Sequence, residues 1–264
     1  MPVRAPRPHL REVTLCAVSS SNVAATILAL EASLAEVAVA ETLLFTDVDP
    51  AALGIAVPDT IRIVPIERIG SSAAYSRFIL EKLVDHVATS HCLIAQWDGH
   101  VADGTRWRDE FLEYDYIGAS WPQFDDGHAV GNGGFSLRSR RLMDACRHPD
   151  FIGHHPEDVA IGRTNRVMLE QLGLRFAPVD LADRFSAERA GDPATAFGYH
   201  GVFRMPTVLG SERFWSLYRR LDDRATLRHD FGDLLRRIIK GRNGVWRGLV
   251  LTAVYLKDLT LGRS

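Results

Sequence analysis

The chain has 264 residues, of which 46% are hydrophobic and 24% are charged, and its formal net charge is −2. This composition is that of an ordinary soluble globular protein, and the length allows one large domain or two small ones. The cysteines, Cys16, Cys92 and Cys146, are scattered and form no C-x-x-C pair, which argues against a disulfide framework and a zinc knuckle and fits a reducing compartment.

Charge is divided unevenly along the chain. Residues 204–264 contain 13 of the 31 Lys+Arg residues and 6 of the 33 Asp+Glu residues. Residues 1–203 therefore contain 18 Lys+Arg and 27 Asp+Glu. We therefore predict an acidic domain over 1–203 and a basic, amphipathic helical region over 204–264. No long apolar run follows Arg4 and Arg7 as in a signal peptide, and none reaches the ~20 residues of a membrane span, so we expect a cytoplasmic protein.

Strands and helices alternate through the first part of the chain. Short apolar runs predict strands over residues 13–18, 41–46, 61–66 and 91–100, and helical spacing predicts helices over 23–39 and 71–87. This alternation predicts an α/β fold with a mainly parallel sheet and helices on both faces.

The end of the first predicted strand lacks two common phosphate-binding motifs. Residues 19–22 are Ser-Ser-Ser-Asn, so neither G-x-G-x-x-G nor G-x-x-x-x-G-K-[ST] follows the strand. The missing Gly-rich turn also argues against a sugar nucleotidyltransferase.

The fourth predicted strand ends abruptly at Asp98 and Gly99. Strands of open α/β sheets present their carboxyl ends to a ligand-binding crevice. A carboxylate there can hold a hard divalent cation and, through it, phosphate oxygens. The alternative is that Asp98 and Gly99 only form the turn after the strand.

A glycine cluster and an acidic helix start follow. Residues 131–134 are Gly-Asn-Gly-Gly, which allows positive φ and close backbone approach to a ligand, or simply a flexible hairpin loop. Pro156, Glu157 and Asp158 predict a helix that continues through residue 172, with Pro156 in its first position. A carboxylate at such a position can also serve as a general base.

Two further features concern ligands and surfaces. His200 lies between glycines and next to aromatic residues, which suits either a hydrogen-bonded histidine or a ligand of a site. Helical patterns over residues 211–221, 225–240 and 245–256 combine basic residues with Trp and Leu. They predict either a bundle packed on the domain or a patch that lies on an anionic membrane surface.

Several of these segments together resemble the DUF5672 family, which is regarded as a group of GT-A type glycosyltransferases. The resemblance covers residues 13–203, and its sharpest part is the Gly-Asn-Gly-Gly-Phe-Ser-Leu-Arg stretch. The segments that carry it are residues 96–99, 110–122, 131–140, 155–159 and 197–201. The resemblance implies a GT-A-like, Rossmann-like α/β domain that binds a nucleotide-sugar.

The resemblance also implies roles for individual residues. Asp98 and His200 would hold Mn²⁺ or Mg²⁺, although Gln96 replaces the first acid of the D-x-D motif. Glu157 and Asp158 would supply the catalytic base, and we prefer Asp158. Contacts with the nucleotide-sugar would come from Ser19, Tyr75, Gln96, Trp97, Gly99, Asn132, Gly133 and Gly134.

The expected function is therefore transfer of a sugar from a nucleotide-sugar donor to a hydroxyl of a glycan or lipid-linked acceptor. We expect a metal-dependent, inverting reaction in polysaccharide or cell-envelope biosynthesis, with peripheral membrane contact through residues 204–264 and no nucleic-acid partner. The alternatives are a sugar nucleotidyltransferase and a non-catalytic saccharide-binding module on a degenerate transferase fold.

Overall fold

The computed structural model describes residues 7–260 of the chain. The chain divides into two compact units, Met1–His200 and Gly201–Ser264. The domain assignment of 1–203 and 204–264 stays a prediction.

The first unit is built on a six-stranded sheet with the order β3-β2-β1-β4-β7-β6. Its strands and those of a second, smaller sheet are β1 His9–Val18, β2 Ala38–Thr46, β3 Arg62–Pro65, β4 His91–Ile94, β5 His100–Val101, β6 Tyr116–Ile117, β7 Ser136–Ser139, β8 Ser186–Ala187 and β9 Gly198–Tyr199. Strands β3, β2, β1 and β4 pair in parallel, whereas β7 runs antiparallel to both β4 and β6. The predicted α/β fold with a mainly parallel sheet is confirmed.

Helices and short helical turns connect these strands. The helices are α1 Val23–Glu36, α2 Ser72–Glu81, α3 Arg140–Ala145, α4 Glu157–Val159, α5 Arg166–Gln171 and α6 Val179–Phe185. Short 3-10 turns cover Ala51–Leu53, Leu83–His86, Gly104–Arg106 and Asp109–Glu113. The first helix ends earlier than predicted because Val37 has extended backbone and leads directly into β2. The predicted helix over 71–87 ends at Glu81, where a 3-10 turn continues the chain.

Alternate residues of β1 face opposite sides of the sheet, as the pleat of a strand requires. On one side, Leu15 packs in a buried cluster with Ile27 of α1. On the other side, Cys16 packs in a second buried cluster with Ile79 of α2. The sheet therefore carries helices on both faces, as predicted. Burying each large apolar side chain contributes about 1.5–3 kcal/mol to the free energy of unfolding.

The smaller sheet has the order β5-β9-β8 and consists of two-residue strands. Strands β8 and β9 are parallel, and β5 is antiparallel to β9. Consequently the residues that follow β8 and β9 lie at the same end of this sheet as the residue that precedes β5. Those residues are Glu188, His200 and Gly99.

The second unit is helical, as predicted. Its helices are α7 Met205–Val208, α8 Ser211–Tyr218, α9 Phe231–Ile239 and α10 Gly244–Thr260, with a 3-10 turn over Ala225–Arg228. Phe214, Leu234 and Leu251 of this unit are buried, and the rings of Phe231 and Tyr255 stack with their centres 4.0 Å apart. Across residues 7–260, no helix has both the length and the hydropathy that crossing a bilayer requires.

Candidate active site

The site begins with the turn that follows β4. Gln96 and Gly99 exchange two backbone hydrogen bonds, of 3.1 and 3.0 Å, across Trp97 and Asp98. Asp98 is therefore a turn residue, yet only 7% of it is exposed. A buried carboxylate loses hydration and needs partners, which distinguishes Asp98 from an ordinary surface turn acid.

Gly99 is required by packing at this turn. A Cβ atom on Gly99 would lie 2.9 Å from the carbonyl oxygen of Tyr199 and 2.9 Å from Cδ2 of His200. Glycine thus lets the turn lie directly against the end of β9. Its predicted contact with a nucleotide-sugar stays a prediction.

His200 lies among three acceptors. Its Nε2 is 3.6 Å from Asp98 Oδ1 and 3.3 Å from Gln96 Oε1, and its Nδ1 is 3.2 Å from Glu188 Oε1. Burial by itself lowers the pKa of His200, but the charge of Asp98 and the hydrogen bond that Nδ1 donates to Glu188 outweigh it and raise the pKa to about 9. The structure therefore brings the two predicted metal ligands together.

Glu188 is a member of this cluster that sequence reasoning missed. Its second carboxylate oxygen, Oε2, accepts a hydrogen bond from the side-chain amide of Asn132. Glu188 is largely buried at the end of β8. In the sequence it only opens a polar loop, and no spacing relates it to His200. The parallel pairing of β8 and β9 is what brings the two residues together.

The Gly-Asn-Gly-Gly loop lies close to this cluster, while its predicted approach to a ligand stays a prediction. The positive φ in this loop belongs to Asn132, at 53°, and not to its glycines. Asn132 tolerates this conformation because its Oδ1 accepts the Gly134 N–H at 3.1 Å. The glycines are needed for space instead: a Cβ on Gly134 would lie 2.0 Å from Nε2 of His200, and one on Gly133 would lie 2.3 Å from Oε1 of Glu157.

Glu157 and Asp158 have different environments. Glu157 is buried, and its carboxylate bonds Nη2 of Arg138 at 3.1 Å and the hydroxyl of Ser76 at 3.1 Å. Asp158 is half-buried, with Oδ2 accepting the Gly133 N–H at 3.1 Å. Burial, and then the charge of Glu157, raise the pKa of Asp158 above its ordinary value. Glu157 is committed to structural partners, whereas Asp158 faces the glycine loop.

The helix start at this point differs from the prediction in two ways. Pro156 has extended backbone and precedes the helix, so Glu157 is its first residue. The helix also does not run uninterrupted to residue 172, because a π-helical turn over Ala160–Thr164 divides it. The side chain of Asn165 donates to the carbonyl oxygens of Ala160 and Ile152, at 2.9 and 3.0 Å, and so replaces part of the regular helical bonding.

Arg138 is a second residue that sequence reasoning missed. It lies in β7 with 1% exposure, donates to Glu157 and to the Ser136 hydroxyl at 3.1 Å, and has its guanidinium 5.4 Å from the centre of the Tyr116 ring. The signal in the sequence was an arginine directly after the short strand predicted around Phe135. If such a strand is buried, a charged side chain at its end must be paired. Arg138 anchors Glu157 and with it the start of α4.

The remaining predicted residues are placed as follows. Gln96 joins the turn to α2, because its Nε2 donates to the Tyr75 hydroxyl at 2.9 Å, and Trp97 is buried in the turn. Ser19 follows β1 and bonds elsewhere: its N–H donates to the Phe45 carbonyl at 2.9 Å and its hydroxyl to the Ser21 carbonyl. None of the hydrogen bonds described for residues 7–260 joins Ser19 to the Asp98 cluster.

A complete protein metal cage is absent from the described part of the chain. Within residues 7–260, no group of three or more His, Cys, Asp or Glu side chains is arranged to hold a metal ion. The chain offers a pair of candidate ligands, Asp98 and His200, with Glu188 on the other ring nitrogen of the histidine. A pair fits a cation that completes its shell with phosphate oxygens and water, and a carboxylate on the second ring nitrogen is the usual support of a metal-binding histidine.

Comparisons with known proteins bear on family and fold. A structure search matches the mannosyltransferase PcManGT from Pyrobaculum calidifontis in complex with GDP-Man and Mn2+, at 13% identity and a TM-score of 0.45, over 97% of this chain and 77% of that one. That likeness is too distant to assign an activity. A search of curated proteins finds no match. The family model described as "Protein of unknown function (DUF5672)" matches residues 59–200, more than half of the chain, and the chain therefore belongs to the DUF5672 family.

Proposed function

We propose that this chain is a metal-dependent, inverting glycosyltransferase whose catalytic domain spans residues 1–203. The observation that carries the proposal is the link between Asp158 and the Asp98/His200 pair. Gly133 donates its N–H to Asp158, and the next residue, Gly134, packs against His200. A candidate base and a candidate cation site therefore lie on either side of two consecutive glycines.

Asp98 and His200 are the residues that would hold Mn²⁺ or Mg²⁺. When bound, such an ion would neutralise the charge that develops on a nucleoside diphosphate leaving group. Glu188 holds Nδ1 of His200, which leaves Nε2 directed at Asp98 and Gln96. In this proposal the neutral Gln96 orients the turn through Tyr75 and does not supply charge to the cation.

Asp158 is the proposed general base. It removes the proton of the acceptor hydroxyl as that oxygen attacks the anomeric carbon, and direct displacement inverts the configuration there. Its raised pKa brings it closer to the range in which a carboxylate serves as a base. Glu157 positions Asp158 through its bonds to Arg138 and Ser76.

The donor nucleotide-sugar would lie at the carboxyl ends of the parallel strands, against the turn at residues 96–99 and the loop at residues 131–134. The acceptor is proposed to be a hydroxyl of a glycan or of a lipid-linked saccharide on the cytoplasmic side of the cell envelope. A thermal-shift screen of nucleoside diphosphates with Mn²⁺ would identify the nucleobase of the donor nucleotide-sugar.

The test is turnover of a panel of nucleotide-sugars with mixed glycan acceptors, with Mn²⁺ and with EDTA. We expect transfer that needs the metal and that Asp158→Asn abolishes while nucleotide binding persists. Asp126→Asn is the matched control, because Asp126 is an exposed acid paired with Arg163 at 2.7 Å. Full transfer in EDTA would remove the cation from the proposal, and wild-type turnover by Asp158→Asn would remove the base.

A non-catalytic saccharide-binding module is the second candidate. The observation in its favour is the lack of a three-ligand cluster within residues 7–260, together with the neutral Gln96 beside Asp98. Calorimetry discriminates the two functions. Binding of a nucleotide or a saccharide without turnover on any acceptor would favour the module.

A further inference from the structure

The second unit contains an open cavity of about 410 Å³ between α7, the start of α8, and α9. It has three cationic side chains, two hydroxyl groups and one carboxylate. The residues that line it are Pro206, Thr207, Ser211, Asp233, Arg236, Arg237 and Lys240. We call this cavity the basic pocket.

The cations of the basic pocket lie at the carboxyl end of α9. Arg237 is held in place, since its Nη1 donates to the Thr207 hydroxyl at 3.1 Å. Arg236 pairs with Asp233 at 3.4 Å. Two positive charges therefore remain in excess along the wall. Guanidinium forks, an ammonium group and hydroxyls are the donors that recognise phosphate oxygens.

The helix that follows exposes its apolar side chains. Val245, Trp246 and Leu249 are 69%, 67% and 61% exposed, and Leu256 continues the same stripe of α10. The charged Arg247 is instead turned inward, where its Nη2 bonds Glu212 at 2.7 Å. This pattern is the inverse of a helix that faces water. Exposed contiguous apolar surface of this kind marks an interaction site.

The basic pocket is lined by α9 and the apolar stripe belongs to the next helix, α10, and we call the connection between these two helices the corner. Lys240 directly follows α9, and α10 begins at Gly244. The two helices pack closely there, because a Cβ on Gly248 would lie 3.0 Å from Cγ1 of Ile239. Cationic and apolar side chains that share one corner match the interface of an anionic membrane, where phosphates lie next to acyl chains.

We propose that this corner docks the protein on an anionic phospholipid surface, with headgroup phosphates in the basic pocket and Trp246 and Leu249 at the boundary of the acyl chains. Residues 204–264 carry 13 Lys+Arg against 6 Asp+Glu, which favours that surface electrostatically. The protein then lies on the bilayer, in keeping with the finding that no helix within residues 7–260 can cross one. Such docking is independent of the proposed transferase activity.

The test is sedimentation of the full chain with vesicles of phosphatidylcholine, with and without phosphatidylglycerol. We expect binding to the anionic vesicles only, weakened by salt. The triple variant Arg236→Ser, Arg237→Ser and Lys240→Ser should reduce the bound fraction by about tenfold. The matched control replaces Arg213, Arg219 and Arg220, exposed cations of the same unit, by Ser and should retain most of the binding.

The apolar stripe is tested separately. Trp246→Ser with Leu249→Ser should abolish binding, whereas Leu53→Ser with Val179→Ser, exposed apolar residues of the first unit, should not. A further measurement needs no destabilising change: brominated lipids should quench fluorescence in the wild type more than in Trp246→Phe.

Several results would overturn the proposal. Equal losses in the two triple variants would show attraction by net charge alone. Equal binding to neutral and anionic vesicles would exclude recognition of an anionic membrane. Thermal stabilisation of the chain by inorganic phosphate, without any binding to vesicles, would exclude it as well. If the chain is a dimer in solution and the double variant Trp246→Ser with Leu249→Ser is a monomer, the apolar stripe binds a second copy of the chain instead.

Discussion

Glu188 supports His200 from the side opposite Asp98. Its Oε1 lies 3.2 Å from Nδ1 of the imidazole, and its Oε2 accepts the side-chain amide of Asn132. Asn132 in turn orients Gly134, whose backbone lies against the same imidazole. One buried carboxylate thus connects the candidate cation ligand to the glycine loop, although no motif of the sequence contains it.

We expect Glu188→Gln to weaken Mn²⁺ binding by about 10- to 100-fold, because it removes the charge that orients His200 and raises its basicity. Calorimetric titration of Mn²⁺ in the presence of a nucleoside diphosphate measures this. Glu110→Gln, at an exposed acid, is the control. Unchanged Mn²⁺ affinity alongside a lowered melting temperature would make Glu188 a purely structural residue.

Cation binding should depend on pH through His200. In the metal-free chain the pKa of His200 is about 9, so below that pH a cation has to displace a proton from the ring. The Mn²⁺ affinity should therefore rise from about pH 6 to about pH 9 and then level off. His200→Ala should remove both the binding and its pH dependence. A flat profile in the wild type would contradict the assignment of His200 as a ligand.

Asp158→Asn should lower kcat by about 10²- to 10⁴-fold, the usual contribution of a positioned general base. The amide keeps the size of the side chain and one acceptor for the Gly133 N–H, so the KM for the donor should change little. Steady-state kinetics with a saturating acceptor measure both parameters. A large change in KM with kcat preserved would place Asp158 in donor binding instead.

Arg138 and Glu157 should matter for stability more than for chemistry. Removing one partner of their buried pair, as in Glu157→Gln or Arg138→Met, leaves an uncompensated charge or donor and should cost about 3–5 kcal/mol in the free energy of unfolding. Urea denaturation measures the loss. The double variant Arg138→Met with Glu157→Leu should recover part of it, and full additivity of the two single losses would contradict direct pairing.

Acid should destabilise the first unit through His91 and His100. Burial lowers the pKa of both below 6.5, so the folded chain keeps them neutral while the unfolded chain takes up protons. Their contribution to stability is therefore complete above about pH 6.5 and declines as the pH falls below it. His200, whose pKa is raised, loses its own contribution only as the pH rises toward about 9.

Melting temperatures measured between about pH 5 and about pH 8 test this. The variant His100→Gln should flatten the acid side of the profile, whereas His148→Gln, at an exposed histidine, should leave it unchanged. An unaltered acid slope in His100→Gln would contradict the role of burial at that residue.

Much of the local structure follows from the sequence by itself. The apolar run that ends at Asp98 predicts a strand and its turn, and β4 with the Gln96–Gly99 turn occupies these residues. The alternation of apolar periods predicts the parallel sheet. These features depend on contacts between near neighbours or on the period of side chains along one element, which a single sequence displays directly.

The tertiary structure alone decided which side chains meet. Gln96 and His200 are 104 positions apart, and Glu188 reaches His200 only because two-residue strands, too short for any period, pair in parallel. The different environments of Glu157 and Asp158 likewise depend on Arg138, Ser76 and Gly133, which come from other elements. Such pairings are set by sheet topology and burial, because the cost of an unpaired buried charge depends on neighbours that are remote in the chain.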